Sequence, residues 1–206
     1  AGFGALALQA TPYALSALPN KEAPSDKQKV PLGLCNHALR GTRLNASQLI
    51  DYAIEHRLDS VQFNTLTVFE SLEEQHLGKL YKRASEHNIT IYVGGGSICQ
   101  SSSSFSDRFG DARALLAEGI RVASAVNSPI VGVRIGNIND RYGDGGIEAK
   151  IEEVIRVMKS MREPVQEAGI KFAFENHAGD LRSRELLDLI QETGTDICGA
   201  FYDPGN

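Results

Sequence analysis

Two carboxylates stand out by where they fall. Glu175 closes the apolar run Ile170-Lys171-Phe172-Ala173-Phe174, and Asp203 closes the run Ile197-Cys198-Gly199-Ala200-Phe201-Tyr202. Side chains alternate along a strand, which puts Glu175 on the face of Ala173 and Asp203 on the face of Phe201 and Gly199. If the two runs are neighbouring parallel strands, about 4.8 Å apart, both acids reach the same end of one sheet. Carboxylates that close repel each other unless a cation or a shared proton intervenes, and a divalent metal is the simplest cation. Arg134, at the end of Ile130-Val131-Gly132-Val133, and His177, which has the parity of Glu175, are the charged or titratable neighbours expected above the same end. Asn64, His37 and Asn206 occupy equivalent places after other runs and are expected to bind substrate alongside His177 and Arg134. For Arg134, neutralisation of Glu175 is the preferred alternative to a substrate contact, because buried charges tend to be paired.

Six apolar runs, beginning near Val30, Ser60, Ile89, Ile130, Ile170 and Ile197, alternate with amphipathic stretches at the helical period, the pattern of parallel βαβ units. Asn45 and Gln48 form a capping-box signal, Ser183 is placed to cap the helix that Gly194 stops, and Pro164 marks a kink at the end of a stripe from Ile147 to Met161. A dinucleotide-binding open sheet requires a G-x-G-x-x-G turn after its first strand, where this chain has Cys35-Asn36-His37. Gly94-Gly95-Gly96 lacks that spacing and reads as a tight turn, and Ser101 to Ser104 reads as a flexible, solvated linker. Polar residues at one strand end after another favour the (β/α)8 barrel, whose sites lie on that face. Val131, Val133 and Ile135 then face the helices. Six of eight βα units are present, so the sequence reads as a barrel that lacks its last two, about 70 to 100 residues by comparison with typical barrels.

The chain has 206 residues, 42% of them hydrophobic, enough for one large domain over residues 30–206. Its net charge of -5 gives no reason to expect nucleic acid as a partner. Cys35, Cys99 and Cys198 are odd in number and widely spaced, which suggests neither a disulfide framework nor a structural zinc site. Residues 1–18 carry no charge and are rich in Ala and Leu, and a polar linker follows to residue 29. That profile is the remnant of an export signal, implying a periplasmic protein free of the membrane after processing, with a cytoplasmic one as the alternative. A homo-oligomer is compatible with all of this.

The segments Phe174-Glu175-Asn176-His177, Gly179-Asp180-Leu181, Glu185-Leu186-Leu187 and Tyr202-Asp203-Pro204-Gly205-Asn206 resemble the xylose isomerase-like TIM-barrel superfamily, in its sugar isomerase/epimerase branch. The resemblance extends from Val30 to Asn206 and is specific over the stretch from Ile170 onward. It implies a divalent metal (Mn, Mg or Co, with Zn less favoured) held by four groups, of which Glu175 matches the first and Asp203 the second. A His after strand seven and a Glu after strand eight complete the set in that family. It also implies a small-molecule sugar as substrate and proton transfer next to a carbonyl through an enediolate, with Glu175 as both metal ligand and acid/base. The alternatives on the same scaffold are a lyase or dehydratase acting on an oxidised sugar, an apurinic endonuclease-like hydrolase, and a non-catalytic carbohydrate-binding barrel. The endonuclease branch places histidines after strands three and four and three residues beyond the sixth-strand Asp. Here those places hold Gly94-Gly95-Gly96, Arg134-Ile135-Gly136 and Asn206.

Overall fold

The computed structural model describes residues 30–206; residues 1–29, where an export-signal remnant and linker are expected, lie outside the described residues. Six strands form, each where an apolar run predicts one: β1 (Gly33–Cys35), β2 (Ser60–Phe63), β3 (Thr90–Ser97), β4 (Ile130–Arg134), β5 (Lys171–Glu175) and β6 (Cys198–Phe201). All pair in parallel, in the order β1-β2-β3-β4-β5-β6. A doubly wound sheet reverses its order at a switch point, whereas a barrel lays each strand beside its sequence neighbour, and the observed order is the second.

The helices are α1 (Ala46–Glu55), α2 (Glu74–Glu86), α3 (Ala112–Ala125), α4 (Gly146–Ser160), α5 (Arg162–Glu167) and α6 (Ser183–Thr193). Their apolar stripes, among them Leu49 and Ile50, Leu77 and Leu80, Leu116, Val154 and Met158, and Leu189, join one core with Val61, Phe63, Val131, Val133, Phe172 and Phe174 from the outward strand positions and Ile135 just past β4. Phe63, Phe172 and Phe174 are fully buried, each stabilising the fold by about 1.5–3 kcal/mol relative to exposure. Four helices close with one device. Arg57, Asn88, Asn127 and Gly169 take left-handed backbone angles, and the next N–H returns to the carbonyl five residues back: Leu58 to Ala53, Ile89 to Ala84, Ser128 to Ala123 and Ile170 to Val165, at 2.8–3.2 Å. Each turn thereby aims the chain into its next strand. No helix among the described residues is long and apolar enough to cross a membrane.

The Asn45–Gln48 capping box forms as expected. Three other local expectations are corrected. Ser183 is the first helical residue of α6, not its cap; the Glu185 carboxylate instead accepts the Arg182 N–H at 2.7 Å. Pro164 does not kink α4. That helix ends at Ser160, and Pro164 sits in the first turn of α5, where its missing N–H costs nothing. The three glycines lie inside β3, where Gly94 pairs with Gly132 and Gly96 with Val133, leaving Gly95 as the extra residue of a bulge.

Gly94 is required by close approach. A Cβ there would meet the carbonyl oxygens of Phe63 and Asn64, each at 2.6 Å. These are backbone atoms and cannot rotate away. Gly94→Ala is expected to cost about 1–3 kcal/mol, the scale of core overpacking, whereas Gly41→Ala, with nothing within 4 Å, stays within about 0.5 kcal/mol. Denaturant unfolding of both variants measures this, and equal stabilities would refute it.

The Ser101 to Ser104 segment is exposed at Ser101 and Ser103, as a solvated loop would be, but it is not an untethered linker. Ser102 is buried and donates to Asp140 Oδ2 at 2.9 Å. The Glu153 carboxylate on α4 accepts from the Gln100 and Ser101 N–H groups and from the Ser101 hydroxyl, and Lys150 Nζ donates to the Ser101 carbonyl at 2.7 Å. The loop after β3 is thus tied to α4.

Candidate active site

Gly94, Gly132, Ala173 and Gly199 are register partners across β3 to β6 and form a row without bulky side chains. The residues above that row, at the C-terminal strand ends, therefore border open volume. A cleft of about 790 Å³ lies there, lined by His37, Asn64, Arg134, Glu175, His177, Asp203 and Asn206 among others. The seven positions picked out in the sequence all reach this one cleft.

Asp203 stands higher than alternation alone suggests. Glu175 pairs with Phe201, the last residue of β6, so Asp203 lies two residues past the end of the strand. The Asn176 side chain carries the ladder upward in place of backbone: its Nδ2 donates to the Asp203 carbonyl and its Oδ1 accepts the Asp203 N–H, both at 2.9 Å. The Asp203 carboxylate accepts from Gly205 N–H at 2.7 Å and Asn206 Nδ2 at 2.8 Å. Asn206 Nδ2 also reaches the Asn176 carbonyl at 3.0 Å. The Asn206 amide is therefore engaged in setting the turn, leaving its oxygen for any contact in the cleft.

His177 is oriented by two bonds. Its N–H donates to Asp180 Oδ1 at 2.8 Å, and its Nδ1 contacts the Gly136 carbonyl. A carbonyl only accepts, so Nδ1 carries the hydrogen, and neutral His177 keeps an acceptor at Nε2. Asp180, fully buried, also accepts the Gly136 N–H at 3.1 Å through Oδ2, which clamps the loop after β5 to the loop after β4. The turn between His177 and Asp180 passes through left-handed Ala178 and Gly179. Arg141 holds it from outside, donating to the Asp180 carbonyl at 2.8 Å and forming a two-pronged ion pair with Glu185 at 2.7 and 2.8 Å.

At the strand ends, Asn64 accepts the Cys35 thiol at 3.0 Å through Oδ1, and its N–H donates to Asn36 Oδ1 at 2.7 Å. His37 lies in the 3-10 turn Asn36–Thr42. Burial pushes its pKa down, and Arg40, His177 and Arg134 add to that. Burial pushes the Glu175 carboxyl up from the ordinary glutamate range; His177 and Arg134 oppose this, while Asp203 and Asp180 reinforce it. Arg134 acts on Glu175 through space, its charge opposing the rise as a neutralising neighbour would, without a hydrogen-bonded ion pair among the described residues.

Asn176 and Asp180 received no role from the sequence, although both lie in the distinctive segment after β5. Their partners, Asp203 and Gly136, are remote along the chain, and no local spacing announces them. For Asn176 the signal was position: a short polar side chain directly after a strand end, where ladder groups need partners.

The donor set suits a hard divalent ion in part. Glu175 makes no side-chain hydrogen bond with a described residue, and it shares the cleft with a second carboxylate that raises its pKa. Oxygen donors in mutual repulsion suit such a cation. No group of three or more His, Cys, Asp and Glu side chains among the described residues is arranged to hold a metal, so the two acids would be part of a ligand set.

No family model matches the sequence, and no characterised protein matches it by sequence. Solved structures do match. A xylose isomerase domain protein from Planctomyces limnophilus is 18% identical with a TM-score of 0.61, over 88% of this chain and 66% of its own. A D-psicose 3-epimerase studied with D-fructose is 12% identical with a TM-score of 0.63, over 84% and 63%. An IolI protein with a bound zinc atom is 13% identical with a TM-score of 0.61, over 83% and 62%. The chain thus spans somewhat under two thirds of the length of each. Together with the in-order parallel strands, these likenesses establish that the chain has the xylose isomerase-like TIM-barrel fold, with six of its strands and the helices between them within the described residues.

Proposed function

We propose that this cleft belongs to a divalent-metal-dependent sugar isomerase or epimerase in which Glu175 is a metal ligand and the acid/base. The observation that carries the reading is Glu175 itself, a half-buried carboxylate without a hydrogen-bond partner among the described residues, with its pKa raised, on the wall of a polar cleft at the C-terminal strand ends. A general base works best when its pKa approaches the working pH, and burial moves Glu175 in that direction. Its task is to take the proton from the carbon beside a sugar carbonyl and to return it. His177, fixed by Gly136 and Asp180, offers Nε2 as acceptor to a sugar hydroxyl and so orients the substrate over Glu175. Asn64 and Asn206 carry amide oxygens to the same wall. Glu175 and Asp203 would hold the metal. When bound, a divalent ion polarises adjacent carbonyl and hydroxyl oxygens and acidifies the proton between them.

The test is isotopic. The full-length protein, loaded in turn with Mn, Mg, Co or Zn, is incubated with ketoses in deuterated water, and deuterium at the carbon beside the carbonyl is followed by NMR. Incorporation is expected, with loss on chelation and recovery on adding metal back. Absence of incorporation with every metal, across free ketohexoses, ketopentoses and keto-acids, overturns the proposal.

A further inference from the structure

Arg134 is poorly partnered for a guanidinium in its position. Its Nε is buried without a hydrogen-bond partner among the described residues, and Glu175 reaches it only through space. A guanidinium carries five N–H donors, and leaving them unmet in a partly desolvated place is costly. Arg134 lies between two cavities: with Thr65 it lines the main cleft, and with Thr65 it also lines a smaller cavity of about 250 Å³ at the ends of β3 and β4.

The smaller cavity is rich in donors. Its other polar lining side chains are the hydroxyls of Thr65, Thr67, Ser97, Ser104 and Ser106, and Arg134 is its one charged residue among those described. Ser97 spends its hydrogen on the Ile135 carbonyl. Ser104 Oγ accepts from Asn137 Nδ2 at 3.1 Å and Ser106 Oγ from the Arg108 N–H at 3.5 Å, so both keep an O–H to give. Thr65 and Thr67 bond each other at 2.8 Å, which uses one of their two hydrogens. One guanidinium and three free hydroxyl hydrogens thus face a space that contains no carboxylate. These donors are held in place: Ser102, in the same loop as Ser104, is bonded to buried Asp140, and Glu153 anchors the loop start. Preorganised donors of this kind bind an anion without first having to be ordered.

We infer that this cavity is a carboxylate subsite, and that the substrate is a sugar acid whose carboxylate pairs with Arg134 while its carbonyl end lies in the main cleft beside Glu175. The planar guanidinium matches a carboxylate prong for prong. A single positive charge balances a monoanion, whereas a phosphate ester carries close to two charges at neutral pH and is usually met by backbone N–H groups at a helix start. The inference rests on the reading of the cleft as a sugar site, and it adds the class of sugar.

Binding without turnover tests it separately from the proton-transfer chemistry. Neither D-gluconate nor D-glucitol has an aldehyde or ketone for the proposed proton transfer, so calorimetric titration of the full-length protein with each measures recognition apart from that chemistry. Gluconate is expected to bind at least 10-fold tighter than glucitol. Arg134→Gln should erase that preference, and Arg134→Lys should keep part of it. Circular dichroism and a melting curve establish that each variant is folded, and a Ser104→Ala, Ser106→Ala double variant provides a second probe of the cavity, expected to lower gluconate affinity several-fold with no change for glucitol. Equal binding of the two compounds, binding of neither, or a preference that survives both Arg134→Gln and the serine variant overturns the inference. Tighter Arg134-dependent binding of inorganic phosphate than of gluconate overturns the carboxylate assignment. Failure of deuterium incorporation alongside Arg134-dependent gluconate binding would instead count against the proton-transfer reading and leave the subsite standing.

Discussion

Glu175→Gln in the full-length protein is expected to lower deuterium incorporation into substrate by about 10²–10⁴-fold, the range ascribed to a positioned acid/base, and to weaken metal binding at the same time. Glutamine has nearly the same shape but neither accepts the proton nor carries the negative charge that draws a cation. The same substitution should stabilise the metal-free protein near neutral pH. Burial raises the folded pKa of Glu175 above its ordinary value, so the native state holds its proton to higher pH than the unfolded chain does. The contribution to stability is therefore complete below the ordinary glutamate pKa and is lost as pH rises through the raised one. The substituted amide has no charge to desolvate and escapes that loss. The metal-free variant should melt higher than the parent at pH 7, and the gap should close on acidification. Adding metal should raise the melting temperature of the parent and move the variant little. A variant that retains exchange, or that melts below the parent at pH 7 without metal, would remove Glu175 from the role given to it.

The opposition between activity and stability at Glu175 explains why the strand ends were legible from sequence. A strand that runs Phe172-Ala173-Phe174 and then stops at an acid violates its own apolar pattern at one position, and such violations mark sites. The same holds for Arg134 after Val133. The helix-facing positions were equally plain, since Val131, Val133, Phe172 and Phe174 follow the period of a buried parallel strand and are buried. What the sequence misplaced depends on partners far along the chain. The serine run has the composition of a flexible linker. It becomes rigid only because Asp140 and Glu153 arrive from the β4–α4 connection and α4 to accept its hydrogens. Three glycines suit a turn or a bulge equally well by composition, and the register with β4 decides between them. Ser183 and Arg182 compete for the cap of α6, and Glu185 settles it by reaching back one turn.

Asp180→Ala carries the largest expected effect on folding. Asp180 is fully buried and accepts the N–H groups of His177 and Gly136. Alanine leaves both donors buried and unmet at about 1–3 kcal/mol each, so a loss of about 2–5 kcal/mol is expected in denaturant unfolding. Asn separates shape from chemistry: its amide oxygen can accept from one donor, but its NH2 then meets the other, and roughly half of the loss is expected. The pH dependence adds a further check. Burial pushes the Asp180 carboxyl above the ordinary aspartate range, while the amides of His177, Gly136 and Leu181 pull it down and lose. A raised folded pKa means that parent stability is fully present below the ordinary value and declines as pH rises through the raised one, a decline that Asp180→Asn cannot share. The stability gap between parent and Asp180→Asn should therefore be widest on the acid side and narrow toward neutrality. A folded Asp180→Asn protein should also show a kinetic defect, since the His177 ring keeps its bond to Gly136 only while the two loops stay clamped. A gap that widens with pH, or an Asp180→Ala protein as stable as its parent, would show that the clamp is not what holds His177 over the cleft.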